Sequence, residues 1–159
     1  MNKDLNKMDG FMTKKTVGFT LGCFNILHQG HINLLRNAKG MCDTLIVGVL
    51  SDDYIDKNKK NRCFNLQERI SILSAIKYCD VVVAEDTLEK LELWEKYKFD
   101  YLFVGSDWYG DERYIRWEKE LSEIKNANVK VIYLPYTQEI SSSLIIEKIA
   151  KRKREIDNE

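Results

Sequence analysis

Residues 16–31 read TVGFTLGCFNILHQGH, and this stretch decides the fold because it joins an apolar strand to a helix through a short turn. Its first part, 16–21, is rich in β-branched residues, which predicts a strand. Similar apolar runs follow at 44–50, 80–85, 101–105 and 129–134. None of them alternates polar and apolar residues, so they fit a parallel sheet that is covered on both faces.

Segments with helical spacing lie between and after these strands, at 31–41, 65–77, 88–98, 112–124 and 141–153. Asn65 with Glu68 three residues later predicts a helix cap, and Ser141 or Ser142 can cap the last helix. Right-handed crossovers between the strands then give an α/β fold with a Rossmann-like, doubly wound, five-stranded parallel sheet in a single domain.

The length of 159 residues fits one domain, which we place at 16–150 between a flexible lead-in, 1–15, and a charged tail, 151–159. The 25 Lys and Arg balance the 25 Asp and Glu, so net charge recruits neither nucleic acid nor a membrane. No stretch resembles a signal peptide or the roughly 20 apolar residues of a membrane span. The 4 cysteines form no CxxC pair, which favours reduced thiols in the cytoplasm.

In open α/β sheets, ligands bind beyond the carboxyl ends of the strands. Four of the predicted strand ends are rich in polar residues or glycine: 22–31, 51–62, 105–110 and 135–143. These segments hold the candidate site residues.

Both histidines of the chain, His28 and His31, lie at a predicted helix start, with Gly30 between them. A helix N-terminus favours anions, so two imidazoles there suit phosphates. The alternative is that both rings only cap the helix or lie on the surface. A zinc site is not expected, because no Cys, Asp or Glu nearby completes one.

The other strand ends allow two readings each. Lys57, Lys59 and Lys60 belong either to a solvated loop or to one that neutralises a triphosphate. Asp107 and Trp108 form either a packed turn or a site for Mg²⁺, a hydroxyl or a stacked ring. The serines at 141–143 either cap a helix or cradle phosphate. The chain has no P-loop, GxGxxG motif or Ser-His-Asp order, so P-loop chemistry and hydride transfer are disfavoured.

In combination these motifs resemble the nucleotidyltransferase superfamily with an HxGH motif, and most closely its cytidylyltransferase family, over about 16–150. Family members carry G-T-F-D, H-x-G-H, a lysine-bearing loop, E-x-R, G-x-D-W and R-T-x-G-I-S-T/S-T in this order. The corresponding segments are 22–25, 28–31, 57–60, 68–69, 105–108 and 136–143.

The resemblance implies a Mg²⁺-dependent reaction in which a phosphorylated alcohol attacks the α-phosphate of CTP and releases pyrophosphate. Glycerol 3-phosphate is the first candidate for this alcohol. The Mg²⁺ would be bound with the triphosphate, and a homodimer is implied. Catalytic residues would be His28, His31 and the lysines Lys57, Lys59 and Lys60. The implied binding residues are Gly22, Cys23, Phe24, Asn25, Gly30, Arg69, Lys77, Gly105, Asp107, Trp108, Tyr136, Thr137, Ile140, Ser141 and Ser142.

Several residues depart from the family pattern: Cys23 and Asn25 replace Thr and Asp, Lys77 stands where an Arg is frequent, and Tyr136 and Glu139 replace the Arg and Gly of R-T-x-G. Tyrosine cannot supply the bidentate phosphate contact of arginine. Two alternatives follow: an adenylyltransferase that uses ATP on a sugar phosphate or FMN, and an inactive nucleotide-binding module.

Overall fold

A computed structural model describes residues 14–58 and 62–158. Its sheet contains five parallel strands in the order β3-β2-β1-β4-β5. The strands are β1 (Val17–Gly22), β2 (Thr44–Leu50), β3 (Val81–Glu85), β4 (Tyr101–Gly105) and β5 (Lys130–Leu134). The predicted Rossmann-like, doubly wound sheet is confirmed, and every strand end lies within one residue of its predicted position.

Six α-helices accompany the sheet: α1 (Gln29–Lys39), α2 (Asp52–Asn58), α3 (Leu66–Ser74), α4 (Lys90–Tyr97), α5 (Glu112–Ser122) and α6 (Ser142–Ile156). A short 3₁₀ helix, Ser106–Trp108, follows β4. Asn65 and Glu68 form the predicted capping box of α3. Ser141 caps α6 by accepting a hydrogen bond from Leu144 N. Both caps are therefore confirmed.

The sheet separates two apolar cores. Helices α1 and α3 cover one face, where Leu35 and Leu73 are buried together with Phe103. Helices α4 and α5 cover the other face, where Leu93 and Leu121 pack with Phe19. This two-sided burial explains the continuous apolar strands of the sequence.

Helix α2 was not predicted, and it corrects the prediction that the loop with the lysines begins at residue 56, since α2 extends to Asn58. Ser51 Oγ accepts a hydrogen bond from Tyr54 N at the start of the helix. Two aspartates occupy the first turn, where their negative charges interact favourably with the helix dipole. The helix has 7 residues and buries only Ile55, so it leaves no apolar periodicity that the sequence could reveal.

The structure describes only parts of the two proposed end segments. The lead-in, 1–15, lies outside the described residues except for Lys14 and Lys15. The charged tail continues α6 as far as Ile156, and its described residues are exposed. Within 14–58 and 62–158, every helix is too short or too polar to cross a bilayer.

Candidate active site

A cavity of about 570 Å³ opens at the carboxyl ends of β1 and β4. The strand order reverses between these two strands, which is where doubly wound sheets bind ligands. Thirteen of the sequence-predicted residues line it: Gly22, Cys23, Phe24, His28, Gly30, His31, Gly105, Asp107, Trp108, Tyr136, Thr137, Ser141 and Ser142.

His28 and His31 lie together on one wall of the cavity. His28 is the N-cap of α1, and its Nδ1 accepts a hydrogen bond from Gly30 N at 3.1 Å. The two rings stack with centroids 3.8 Å apart. A Cβ on Gly30 would lie 3.0 Å from the His28 ring, so the glycine makes room for the first imidazole.

The hydrogen bond at Nδ1 sets the tautomer of His28. With Nδ1 as acceptor, the neutral ring carries its proton on Nε2. Burial lowers the pKa of His28, which favours this neutral form at neutral pH. The ring can therefore donate a hydrogen bond to a phosphate oxygen without placing a positive charge next to the His31 ring.

The turn between β1 and α1 is shaped by Phe24, which has a φ of 48°. Bulky residues seldom adopt this left-handed conformation, yet the Phe24 ring is buried and packs 5.1 Å from the His31 ring. A Cβ on Gly22 would come within 3.0 Å of the Phe24 ring. Phe24 thus packs against His31, and Gly22 leaves room for the Phe24 ring.

Asn25 does not line the cavity. Its side chain is buried, and its Oδ1 accepts a hydrogen bond from Cys63 N at 2.7 Å. Asn25 thereby joins the turn after β1 to the segment that leads into α3.

Arg69 is also absent from the cavity wall, although the sequence placed it among the binding residues. Its side chain is fully buried, and it donates to three backbone carbonyls and to Asp52 Oδ1, the latter at 2.7 Å. Burial would raise the pKa of Asp52, but hydrogen bonds from Arg69 and Leu66 N hold it below its ordinary value. In this structure Arg69 joins three chain segments, those of Cys23, of Leu50 with Asp52, and of Phe64.

Three further predicted residues lie off the wall, and two are not described. Lys77 is exposed at the opposite edge of the sheet, since Asp80 N bonds to Leu45 O at the amino end of β2. Ile140 lies beside Gly30, because a Cβ on Gly30 would be 3.6 Å from the Ile140 side chain. Lys57 is exposed in the last turn of α2, and Lys59 and Lys60 lie outside the described residues. Arg62, on the far side of this gap, is paired with Asp56 and Asp52.

The segment after β4 contributes Asp107 and Trp108 to the cavity, both exposed. Ser106 Oγ accepts a hydrogen bond from Tyr136 N at 3.0 Å, so this segment is joined to the one after β5. A Cβ on Gly105 would clash with Asp107 Oδ1, which shows that the carboxylate folds back over the end of the strand.

The segment after β5 places Tyr136, Thr137 and the serines at 141–143 on the wall beside α1. Asn33 of α1 donates to Thr137 Oγ1 at 3.0 Å, and Ser142 Oγ donates to Ile26 O at 3.2 Å. Glu139, at the position of the family glycine, has a φ of 62°. The backbone therefore has the conformation that glycine favours. The N-termini of α1 and α6 border the same cavity.

Lys90 is a charged cavity residue that the sequence prediction omitted. Its side chain is 1% exposed at the start of α4, and its Nζ donates to Leu88 O at 2.6 Å. Burial lowers the pKa of Lys90 to about 7. Helical spacing offered a signal, because Lys90 lies on the face of Leu93 and Tyr97, which is the buried face of α4.

Other residues that the sequence did not single out also line the wall. Tyr54 and Asn58 belong to α2, which the sequence did not predict, while Arg113, Tyr114 and Trp117 belong to α5. The others come mostly from the strands. Nothing in the spacing of the α5 side chains distinguishes them from those of an ordinary amphipathic helix.

Among the described residues, a metal ion in the cavity would need ligands from a bound substrate as well as from the protein. Asp107 is the carboxylate that lines the cavity. Within the described part of the chain, no three His, Cys, Asp or Glu residues converge as a metal cluster. One carboxylate fits Mg²⁺ that arrives on a triphosphate, because Mg²⁺ keeps most of its ligands as water and phosphate oxygens.

Comparison with known proteins shows which family this chain is similar to. The family model described as cytidylyltransferase-like matches residues 19–148. Glycerol-3-phosphate cytidylyltransferase of Bacillus subtilis is 35% identical over 133 residues, which cover 82% of this chain and 95% of that protein.

Two other relatives have different activities in their names. FAD synthase of Thermococcus sibiricus is 35% identical over 143 residues, covering 87% of this chain and 95% of that protein. Ethanolamine-phosphate cytidylyltransferase of Arabidopsis thaliana is 39% identical over 93 residues, covering 54% of this chain. The matched part spans 22% of the length of the Arabidopsis protein.

Proposed function

Because this chain belongs to the cytidylyltransferase-like family, we propose that it transfers CMP from CTP to a small phosphorylated alcohol, with glycerol 3-phosphate as the acceptor. The observation that carries the proposal is the stacked pair of His28 and His31 at a helix N-terminus, in one cavity with the buried ammonium of Lys90. Two imidazoles that could donate to phosphate thus share one cavity with a buried cation that an anion would stabilise.

In the proposed reaction, an oxygen of the acceptor phosphomonoester attacks the α-phosphorus of CTP. A new P–O bond forms, the bond to the β-phosphate oxygen breaks, and pyrophosphate leaves with the electron pair. His28 Nε2–H and His31 donate to the phosphates on which negative charge grows. The amides at the starts of α1 and α6 add their dipoles at the same place.

The remaining donors surround the triphosphate in this proposal. Ser141 and Ser142 begin α6, which borders the cavity, and Lys57 lies in the last turn of α2, which contributes Tyr54 and Asn58 to the wall. Lys57 would reach the phosphates from this side. The resemblance gives Lys59 and Lys60 the same role, and both lie outside the described residues. Mg²⁺ bound to the triphosphate would neutralise charge, and Asp107 is the side chain that could share it.

We assign the acceptor phosphate to Lys90. A buried ammonium without a carboxylate partner is destabilised by desolvation, and a phosphate beside it relieves that penalty. Glu89, the neighbouring carboxylate, is exposed and engaged with Arg116 instead. Substrate binding would thus raise the pKa of Lys90 and hold it protonated while the acceptor oxygen attacks.

The alternatives are weaker on specific grounds. An inactive module was considered because of the changes at Asn25, Lys77 and Tyr136, but Asn25 and Lys77 do not line the cavity, so two of the three changes do not alter its wall. An adenylyltransferase remains the second candidate, because the Thermococcus FAD synthase matches 87% of the chain.

Pyrophosphate release from CTP and from ATP tests these readings, with glycerol 3-phosphate, phosphoethanolamine, a heptose 1-phosphate and FMN as acceptors. We expect release with CTP and glycerol 3-phosphate, and its loss when EDTA removes Mg²⁺. Release only with ATP, on the heptose 1-phosphate or on FMN, would establish the second candidate. No release with any pair would exclude both enzyme readings.

We further propose that the enzyme works in the cytoplasm as a homodimer. The four free thiols, Cys23, Cys42, Cys63 and Cys79, are compatible with a reducing compartment. Edge strand β3 and its neighbour α3 expose Val81 and Ile72, which offers apolar area to a second copy. Sedimentation velocity at micromolar concentration tests the dimer, and a single species of 18.7 kDa would contradict it.

A further inference from the structure

One end of the cavity is an aromatic box formed by Trp108, Tyr114 and Trp117. The Trp108 and Tyr114 ring centroids are 5.6 Å apart, and Tyr114 meets Trp117 edge-on at 5.0 Å. Aromatic faces arranged in this way attract cations, and quaternary or primary ammonium head groups are common occupants of such boxes.

In this protein the box already contains cations of the chain itself. Lys90 Nζ lies 4.1 Å from the Trp117 centroid and 5.7 Å from the Tyr114 centroid. The Arg113 guanidinium lies 5.2 Å from the Trp108 centroid. Both cations line the cavity. Burial lowers the pKa of Lys90 most, Glu89 opposes this effect, and Arg113 is close enough to lower the pKa further.

We propose that Arg113 is a specificity-determining residue: with Lys90 it occupies the cation positions of the aromatic box, so that the acceptor must carry no positive charge of its own. This inference rests on the proposed function and narrows its substrate class. The site accepts phosphorylated polyols and rejects zwitterionic amino-alcohol phosphates, of which phosphoethanolamine is the simplest.

The orientation of Arg113 supports a role toward the ligand. Asp111 binds one edge of the guanidinium, with Nε and Nη2 donating to Oδ1 and Oδ2 at 3.0 Å each. A guanidinium has five N–H donors, and this fork uses only two of them. Asp111 is itself fixed as the N-cap of α5 by accepting from Arg113 N. The other donors of Arg113 can therefore meet a phosphate or hydroxyl oxygen.

The charges around the box oppose an ammonium group. Two cations of the chain lie within the box, and the carboxylate that lines the cavity, Asp107, folds back over the end of β4. An ammonium group would therefore be repelled by Lys90 and Arg113, whereas the hydroxyls of a polyol can accept hydrogen bonds from Arg113. Charge alone thus separates two acceptor classes that both carry one phosphate.

The test compares Arg113→Met with Lys119→Met. Methionine keeps the length of the side chain and removes the charge at 113. Lys119→Met removes the same charge from an exposed position of α5 outside the cavity, and Arg113→Lys tests rescue by another cation. Steady-state kcat/KM is measured with CTP and either glycerol 3-phosphate or phosphoethanolamine, and acceptor binding is followed separately through the fluorescence of Trp108 and Trp117.

For the wild type we expect kcat/KM with glycerol 3-phosphate to exceed that with phosphoethanolamine by at least ~100-fold. Arg113→Met should narrow this ratio by ~10-fold or more, the effect of one charge-assisted hydrogen bond. It should leave the KM for CTP within about twofold, while Arg113→Lys partly restores the ratio and Lys119→Met leaves it unchanged.

The inference is overturned if the wild type uses both acceptors equally well, or if Arg113→Met lowers both by the same factor. The fluorescence titration distinguishes this from failure of the proposed function. Preferential binding of glycerol 3-phosphate without any pyrophosphate release would support the inference and refute the function. Turnover of both acceptors without preference would do the reverse.

Discussion

Replacing Lys90 by methionine should make the protein more stable and nearly inactive, because in our proposal the buried ammonium binds the acceptor and does not stabilise the fold. Burial lowers the pKa of Lys90 from 10.5 to about 7. At about 1.4 kcal/mol per pKa unit, keeping this lysine charged costs the folded state about 5 kcal/mol. The Trp117 face returns about 1 to 2 kcal/mol, and the bond to Leu88 O about 1. The Lys90→Met variant should therefore be about 2 kcal/mol more stable at pH 6 to 7.

The pH dependence of this gain has a defined sign. Between pH 7 and 10 the unfolded chain keeps Lys90 protonated while the folded chain releases the proton, so the wild type becomes more stable as the pH rises. The methionine variant lacks this increase. The stability advantage of the methionine variant should therefore be largest below pH 7 and decrease steadily as the pH rises toward 10.

Urea denaturation at pH 6, 7, 8.5 and 9.5, followed by far-UV circular dichroism, measures the effect, with Lys119→Met as the exposed control. In the same preparations, kcat/KM for the acceptor should fall by ~10²- to 10³-fold, the effect expected for one lost phosphate contact in a desolvated site. A variant less stable than the wild type at pH 6, or one with undiminished acceptor turnover, would refute the reasoning.

Two further predictions concern the histidine wall and the buried arginine. His31→Ala should lower kcat by ~10²- to 10³-fold with the fold intact, because it removes one donor to the growing phosphate charge; pyrophosphate release and circular dichroism check this, Arg36→Ala on the exposed side of α1 is the control, and an unfolded variant would show that His31 is structural. Arg69→Met should destabilise the protein by ~3 to 5 kcal/mol, because Asp52 and three carbonyls lose a buried donor; urea denaturation measures it, and a stable variant with weakened CTP binding would place Arg69 in the site instead.

The sequence predicts the sheet well because its signals are local. An apolar run without alternation indicates a strand covered on both sides, and the capping pairs at Asn65 and Ser141 act over three residues. The same holds for the wall formed by His28 and His31, since both belong to one turn. Helix α2 escaped prediction because a helix with one buried residue, Ile55, has no periodic apolar face.

The acceptor side of the cavity could not be predicted because its signals are tertiary. Arg69 and Lys90 are both cations on helices, and no local pattern shows that one is surrounded by carbonyls and the other by aromatic rings. The sequence prediction placed Arg69 in the site and omitted Lys90, whereas in the structure Lys90 lines the cavity and Arg69 does not. Which cation meets a ligand depends on the segments that pack around it.

The two cores on opposite faces of the sheet also separate two sets of residues that can change independently in evolution. On the side of α1, the segments 22–31 and 136–143 handle the nucleotide in our proposal. On the side of α4 and α5, one contiguous stretch, 88–117, supplies the acceptor contacts. Because the sheet lies between these two sets, substitutions in 88–117 can change the accepted alcohol while the nucleotide chemistry persists. A transplant of this stretch from a relative with another acceptor is the corresponding route to a redesigned transferase.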